Sequence, residues 1–185
     1  MTVAIWVVEG TWASCVAAAM ARTGAEEAVV LIHVTPEEIE DSAHAAYAGL
    51  LGRGRPDRDP GATLHRLAAD AEEQLLHSAQ AQVGRSAAWV RRTGKVEREV
   101  VAAAEEAGAD LLVAARDGDR SRLGPRSLGP ATRFVVDHAP CPVLLIWPGD
   151  TPDVGSIPPP PQHGPGHPPP PHPAGHPPPP PHPEH

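Results

Sequence analysis

Four short, nearly continuous apolar runs punctuate the chain: VAIWVV (Val3–Val8), AVVLIHV (Ala28–Val34), LLVAA (Leu111–Ala115) and VLLIW (Val143–Trp147). Each lacks the polar alternation of a strand that is wet on one face. Each is too short for a buried helix. Runs of this kind mark strands covered on both sides, which occur in parallel sheets. A fifth, weaker run, Ala87–Arg92, carries Arg91 and Arg92, which suits a position near a sheet edge.

The segments between the runs predict helices. Ala13–Arg22 is small and apolar, with Thr23-Gly24 to stop it. Glu37–Leu51 suits a helix, and GRGRPDRDP (52–60) is a charged, turn-rich loop. Leu64, Leu67, Ala68, Ala71, Leu75 and Ala79 then share one helical face. Val96–Ala107 is helical and closed by Gly108, and Pro130–His138 is a shorter helix. The order β-α-β-α-β-α-β-α-β predicts an α/β fold: a Rossmann-like open parallel five-stranded sheet with helices on both faces. Ligands of such sheets bind beyond the carboxyl ends of the strands, at the switch point. That gathers Glu9-Gly10-Thr11, Val34-Thr35 and the loop Arg116–Pro130 around one crevice.

Charge and composition remove several functions. The formal net charge is −8, of which residues 1–148 carry −5. An acidic balance argues against general nucleic-acid binding. No apolar stretch is long enough to span a membrane. The N-terminal residues carry no basic region ahead of a short apolar run, so no signal peptide is expected. The two cysteines, Cys15 and Cys141, form no CxxC pair and are expected as buried thiols in a reducing cytoplasm. No GxSxG elbow, HExxH or Walker A sequence occurs, so the chain is expected not to be an enzyme. Asp117, Asp119 and His138 are the only candidate bases near the loop.

The loop RDGDRSRLGPRSLGP (116–130) lies between a buried strand and a helix, a place where α/β proteins hold phosphate. Together with VVEGTWAS (7–14), VLIHV (30–34), GKVEREVVAAAEEAGADLLVAA (94–115) and LGPATRFVVDHAPCPVLLIW (128–147), it resembles the universal stress protein (UspA-like) family over residues 1–148. The resemblance implies the strand order 3-2-1-4-5 and an adenine-nucleotide site. It also implies a homodimer through the last strand. In nucleotide-binding members the signature is Gly-x-x-Gly, nine residues, then Gly followed by Ser or Thr. Here Ala115 stands for the first glycine, Gly118 matches the second, ten residues precede Gly129, and Pro130 replaces the hydroxyl residue. On the base side Glu9 replaces the usual Asp and Val34 matches an apolar contact. The resemblance thus implies a nucleotide site at Glu9, Val34, Ala115, Gly118, Gly129, Ala131 and Thr132.

Pro130 supplies neither a hydroxyl nor an N–H. Two lost donors at roughly 1.5–3 kcal/mol each would lower the affinity for ATP by orders of magnitude. Arg116, Arg120, Arg122 and Arg126 recover part of that. The expected function is a non-enzymatic stress-response or regulatory module with a degenerate ATP site, acting on an unidentified protein partner. The alternatives are a true ATP-binding or slowly hydrolysing member, and a metal-holding protein.

The metal alternative rests on residues 149–185, a Pro/His/Gly-rich tail that cannot bury a core and is expected to stay extended. Its histidines fall in three pairs: His163 and His167, His172 and His176, His182 and His185. A proline spacer at about 3.1 Å per residue keeps neighbouring pairs ~15 Å or more apart. The metal alternative is weak chelation of Zn²⁺, Ni²⁺ or Cu²⁺, each ion held by one or two pairs. An inert, soluble spacer is the simpler expectation.

Overall fold

The computed structural model describes residues 1–37, 60–157 and 159, with side chains from residue 66 onward in the helix that begins at Pro60. Five strands form one parallel sheet: β1 (Thr2–Trp6), β2 (Ala28–Pro36), β3 (Ala88–Gly94), β4 (Leu111–Ala115) and β5 (Val143–Ile146). Their order is β3-β2-β1-β4-β5, the expected one. Ile5 of β1 pairs with Leu31 on one side and Val113 on the other. The chain reverses direction across the sheet between β1 and β4, which is the switch point.

Both faces of the sheet are covered, because alternate residues point to opposite sides. Val3, Ile5, Leu31 and Val113 face α1 (Trp12–Met20) and α2 (Pro60–Val83). Ala4, Trp6, Ile32, Leu112 and Ala114 face α3 (Val96–Glu106) and α4 (Pro130–His138). The apolar runs therefore read as continuous because each face has its own core.

The helix ends follow local chemistry. Gly108, at φ +57°, takes the left-handed position that stops α3, where a side chain would be strained. Pro130 opens α4 at a position whose N–H has no partner inside a helix, so the proline costs nothing there.

Three expectations change. Strand β2 runs on to Pro36 because Thr35 and Pro36 still pair with Thr93 and Gly94 of β3. Helix α2 begins at Pro60, inside the expected loop, since proline fits a first helical turn. Ala79 of the expected stripe is in the core and Leu75 packs against it, but Leu76 and Val83 join them there, while Leu67 is 60% exposed. Leu76 and Val83 stand at helical spacing from Ala79 as the expected residues do, and only packing decides which side of Ala79 faces the core. The Glu37–Leu51 helix, most of the 52–60 loop and the tail histidines lie outside the described residues.

The first tail residues are structured. Val154–Ser156 form a 3-10 turn whose Asp153 carboxylate accepts the Gly155 N–H. The Ser156 hydroxyl accepts the Leu123 N–H at 3.0 Å and fastens this segment to the 116–130 loop.

Candidate functional site

At the carboxyl ends of β1, β2 and β4 lies a cleft of about 900 Å³. The short turn after β1 forms one side, and Gly10 allows it with φ +77°. Glu9, Thr11 and Trp12 of this turn line the cleft, with Val34 and Thr35 from β2. Helix α2 supplies Ala68, Ala71 and Leu75. The opposite side is Ala115, Asp117, Arg120, Ala131 and Thr132. Of the expected binding residues, Glu9, Val34, Ala115, Ala131 and Thr132 thus meet around one space. Gly118 and Gly129 belong to the loop but are not among the residues that line the cleft.

The wall at the strand ends is held by specific bonds. The His33 ring Nδ1 bonds the Val7 carbonyl at 2.9 Å and joins the ends of β2 and β1, so the strand histidine has a satisfied structural place. The Thr35 hydroxyl donates to Glu72 of α2 at 3.3 Å, and Glu72 also faces Arg91 at 3.4 Å. The buried Thr132 hydroxyl donates to the Ala115 carbonyl at 3.3 Å, tying α4 to β4. That hydroxyl is therefore turned into the fold.

The 116–130 loop folds on itself. The N–H groups of Gly118 and Asp119 donate to the carbonyls of Ser127 and Arg126 at 3.1 and 2.8 Å. A Cβ on Gly118 would lie 2.3 Å from the Arg126 carbonyl oxygen, so this close crossing requires glycine. The Asp117 carboxylate accepts the Gly129 N–H at 2.7 Å. A Cβ on Gly129 would lie 2.7 to 2.8 Å from the same carboxylate. Both motif glycines therefore make room for the loop's own atoms.

The arginines divide as well. The Arg116 guanidinium donates to the Ser127 hydroxyl and sits 4.9 Å from the Trp147 ring centre. Arg122 pairs with Asp119 at 2.8 Å. The Ser121 hydroxyl and amide, with Arg122, hold the Asp119 carboxyl down at about 2. Arg126 is exposed on the outer side of the loop. Of the four loop arginines expected to assist, only Arg120 lines the cleft. His138 is exposed; its Nδ1 bonds the Phe134 carbonyl, and its ring stacks on Phe134 at 4.0 Å.

Sequence reasoning missed the role of Asp117, which pattern matching treats as a spacer between Ala115 and Gly118. It also missed the contribution of α2 to the wall. Burial pushes the Cys15 thiol up to about 12, as expected for an inert core group. Cys141 is only half-buried, a correction to the expectation of two buried thiols. Among the described residues no cluster of His, Cys, Asp or Glu is arranged to hold a metal ion.

A parallel sheet in this order, with a cleft at its switch point and a loop-to-helix junction on the rim, defines a Rossmann-like α/β protein. The sequence profile of the Universal stress protein family matches residues 13–146, and the chain belongs to that family. Its fold is shared with the hypothetical protein MJ0577, at 18% identity and a TM-score of 0.60 over 81% of this chain and 97% of that one. The hypothetical protein PH0823 matches at 21% identity and 0.54, over 79% of this chain and 95% of its own. Universal stress protein UspA from Lactobacillus plantarum matches at 19% identity and 0.50, over 79% and 97%. Comparison with curated protein sequences yields no match.

Proposed function

We propose that this protein is a non-enzymatic regulatory module of the universal stress protein kind, with a cleft that grips nucleoside triphosphates poorly. The observation that carries the reading is the Asp117 carboxylate on the Gly129 N–H at 2.7 Å. An anion of the chain's own already satisfies a donor at the start of α4. A phosphate brought within about 4 Å of it would meet a repulsion of roughly 4 kcal/mol per unit charge at an effective dielectric of 20. The N–H groups of Gly118 and Asp119 are bonded to carbonyls, and Pro130 has none to give. Among the described residues at the cleft, Arg120 and the first-turn N–H groups of Ala131 and Thr132 are the remaining attraction for an anion.

The absence of catalysis is supported by how the candidate bases are engaged. Asp117 is bonded to Gly129, Asp119 to Ser121 and Arg122, and His138 to Phe134. Cys15 and Cys141 are both free thiols, which favours a reducing cytoplasmic setting. Among the described residues no helix is long and apolar enough to cross a membrane. Among the described residues the β5 edge of the sheet carries no further strand, which supports a homodimer formed there.

Calorimetric titration with ATP and Mg²⁺, with mass analysis of the purified protein, tests the reading. The expected outcome is no co-purifying nucleotide and an affinity weaker than micromolar. Micromolar binding, or a bound adenine nucleotide, overturns it.

A further inference from the structure

The carboxylate that opposes a phosphate also indicates what the cleft is suited to hold; this inference rests on the reading that triphosphates bind poorly. The cleft has two chemically different halves. One is apolar and part aromatic, built from Val8, Trp12, Val34, Ala68, Ala71 and Leu75. Trp12 is half-buried and lines the cleft, where an aromatic side chain suits a planar partner. The other half carries Asp117, Glu9 and Arg120.

Asp117 Oδ1 accepts the Gly129 N–H, and among the described residues Oδ2 has no partner. Asp117 is exposed at the cleft, and an ionised carboxylate only accepts hydrogen bonds, so Oδ2 is open to a donor from a ligand in place of water. Glu9, exposed at the rim, has the same requirement. Hydroxyl groups meet it and phosphate oxygens do not. Rossmann-type sites use an acidic side chain in this way to take a ribose hydroxyl. The cavity, at about 900 Å³, has room for a ring and a sugar.

We propose that the cleft is a site for an unphosphorylated nucleoside, its ring against the Trp12 side and a sugar hydroxyl on Asp117 Oδ2. Adding a phosphate to the sugar places a second anion near the carboxylate and lowers affinity. The preference is thus opposite to that of a nucleotide site.

Titrating the full chain with adenosine, AMP and Mg-ATP tests this, read by calorimetry and by tryptophan fluorescence, since Trp6 and Trp12 both line the cleft. Adenosine should bind at least about tenfold more tightly than AMP, an inversion worth one decade in the binding constant. Asp117→Asn keeps an oxygen for the Gly129 N–H and removes the charge. It should raise AMP affinity about tenfold and bring the two ligands close to parity. AMP binding the wild type as tightly as adenosine overturns the proposal. Micromolar Mg-ATP overturns both the proposal and the reading beneath it. No adenosine binding at millimolar concentration, with ATP also weak, overturns the nucleoside proposal and leaves the poor triphosphate site standing. The wild-type comparison decides even where the variant fails to fold.

Discussion

At Gly118 a methyl group would lie 2.3 Å from one backbone oxygen and 2.8 Å from the Ser127 carbonyl carbon. Backbone cannot rotate aside as a side chain does. Gly118→Ala should therefore cost about 1–3 kcal/mol, the usual range for forced overpacking, visible as a lower urea midpoint. This position also shows how the candidate site was legible and how it was not. The glycine pattern located the loop with Ala115, Ala131 and Thr132, and the strand ends supplied Glu9 and Val34. It gave no access to what the glycines accommodate, because a spacing records where side chains are excluded and not which atoms exclude them. The partner of Gly129 is a carboxylate twelve residues earlier, a contact fixed only once the loop has closed. Cys15 carries a second residue-scale prediction. Its folded thiol is pushed up to about 12 from 9.0 by burial, so the unfolded chain loses its proton first. Stability should then fall as pH rises from 9 toward 12, and Cys15→Ala should flatten that slope in urea titrations at pH 8 and 10.5.

Among the elements, the strands were easier to anticipate than the faces of the helices. A strand buried on both sides needs only to be apolar throughout, and four runs met that condition. Helix α2 offers two stripes at helical spacing that share Ala79. Leu76, Ala79 and Val83 won because they meet Val16 and Ala19 of α1 over the sheet, while Ala68 and Ala71 reach past the strand ends to the cleft. Leu76 is fully buried, so Leu76→Ala should cost about 2–5 kcal/mol in chemical denaturation. Strand β5 makes its own prediction. Its Pro142 and Ile146 carbonyls accept N–H groups from Leu112 and Arg116, so by alternation the Leu145 N–H points away from β4. Leu145→Pro should leave the inner ladder intact and turn the proposed dimer into a monomer by light scattering. A wild-type monomer at the same concentration would remove the dimer.

Across the whole molecule, the domain and its tail meet at the loop that rims the cleft. The tail's composition says that it cannot build a core, but composition says nothing about where its first residues attach. Among the described residues the attachment runs through one hydrogen bond, from the Leu123 N–H to the Ser156 hydroxyl, while the last strand is held by a ladder of them. Mechanical load applied to the prolines would be delivered first to that single bond, and through it to the Arg120–Leu123 stretch of the rim. The sheet would feel the tension only afterwards. The tail is in this sense a handle fitted to the mouth of the cleft.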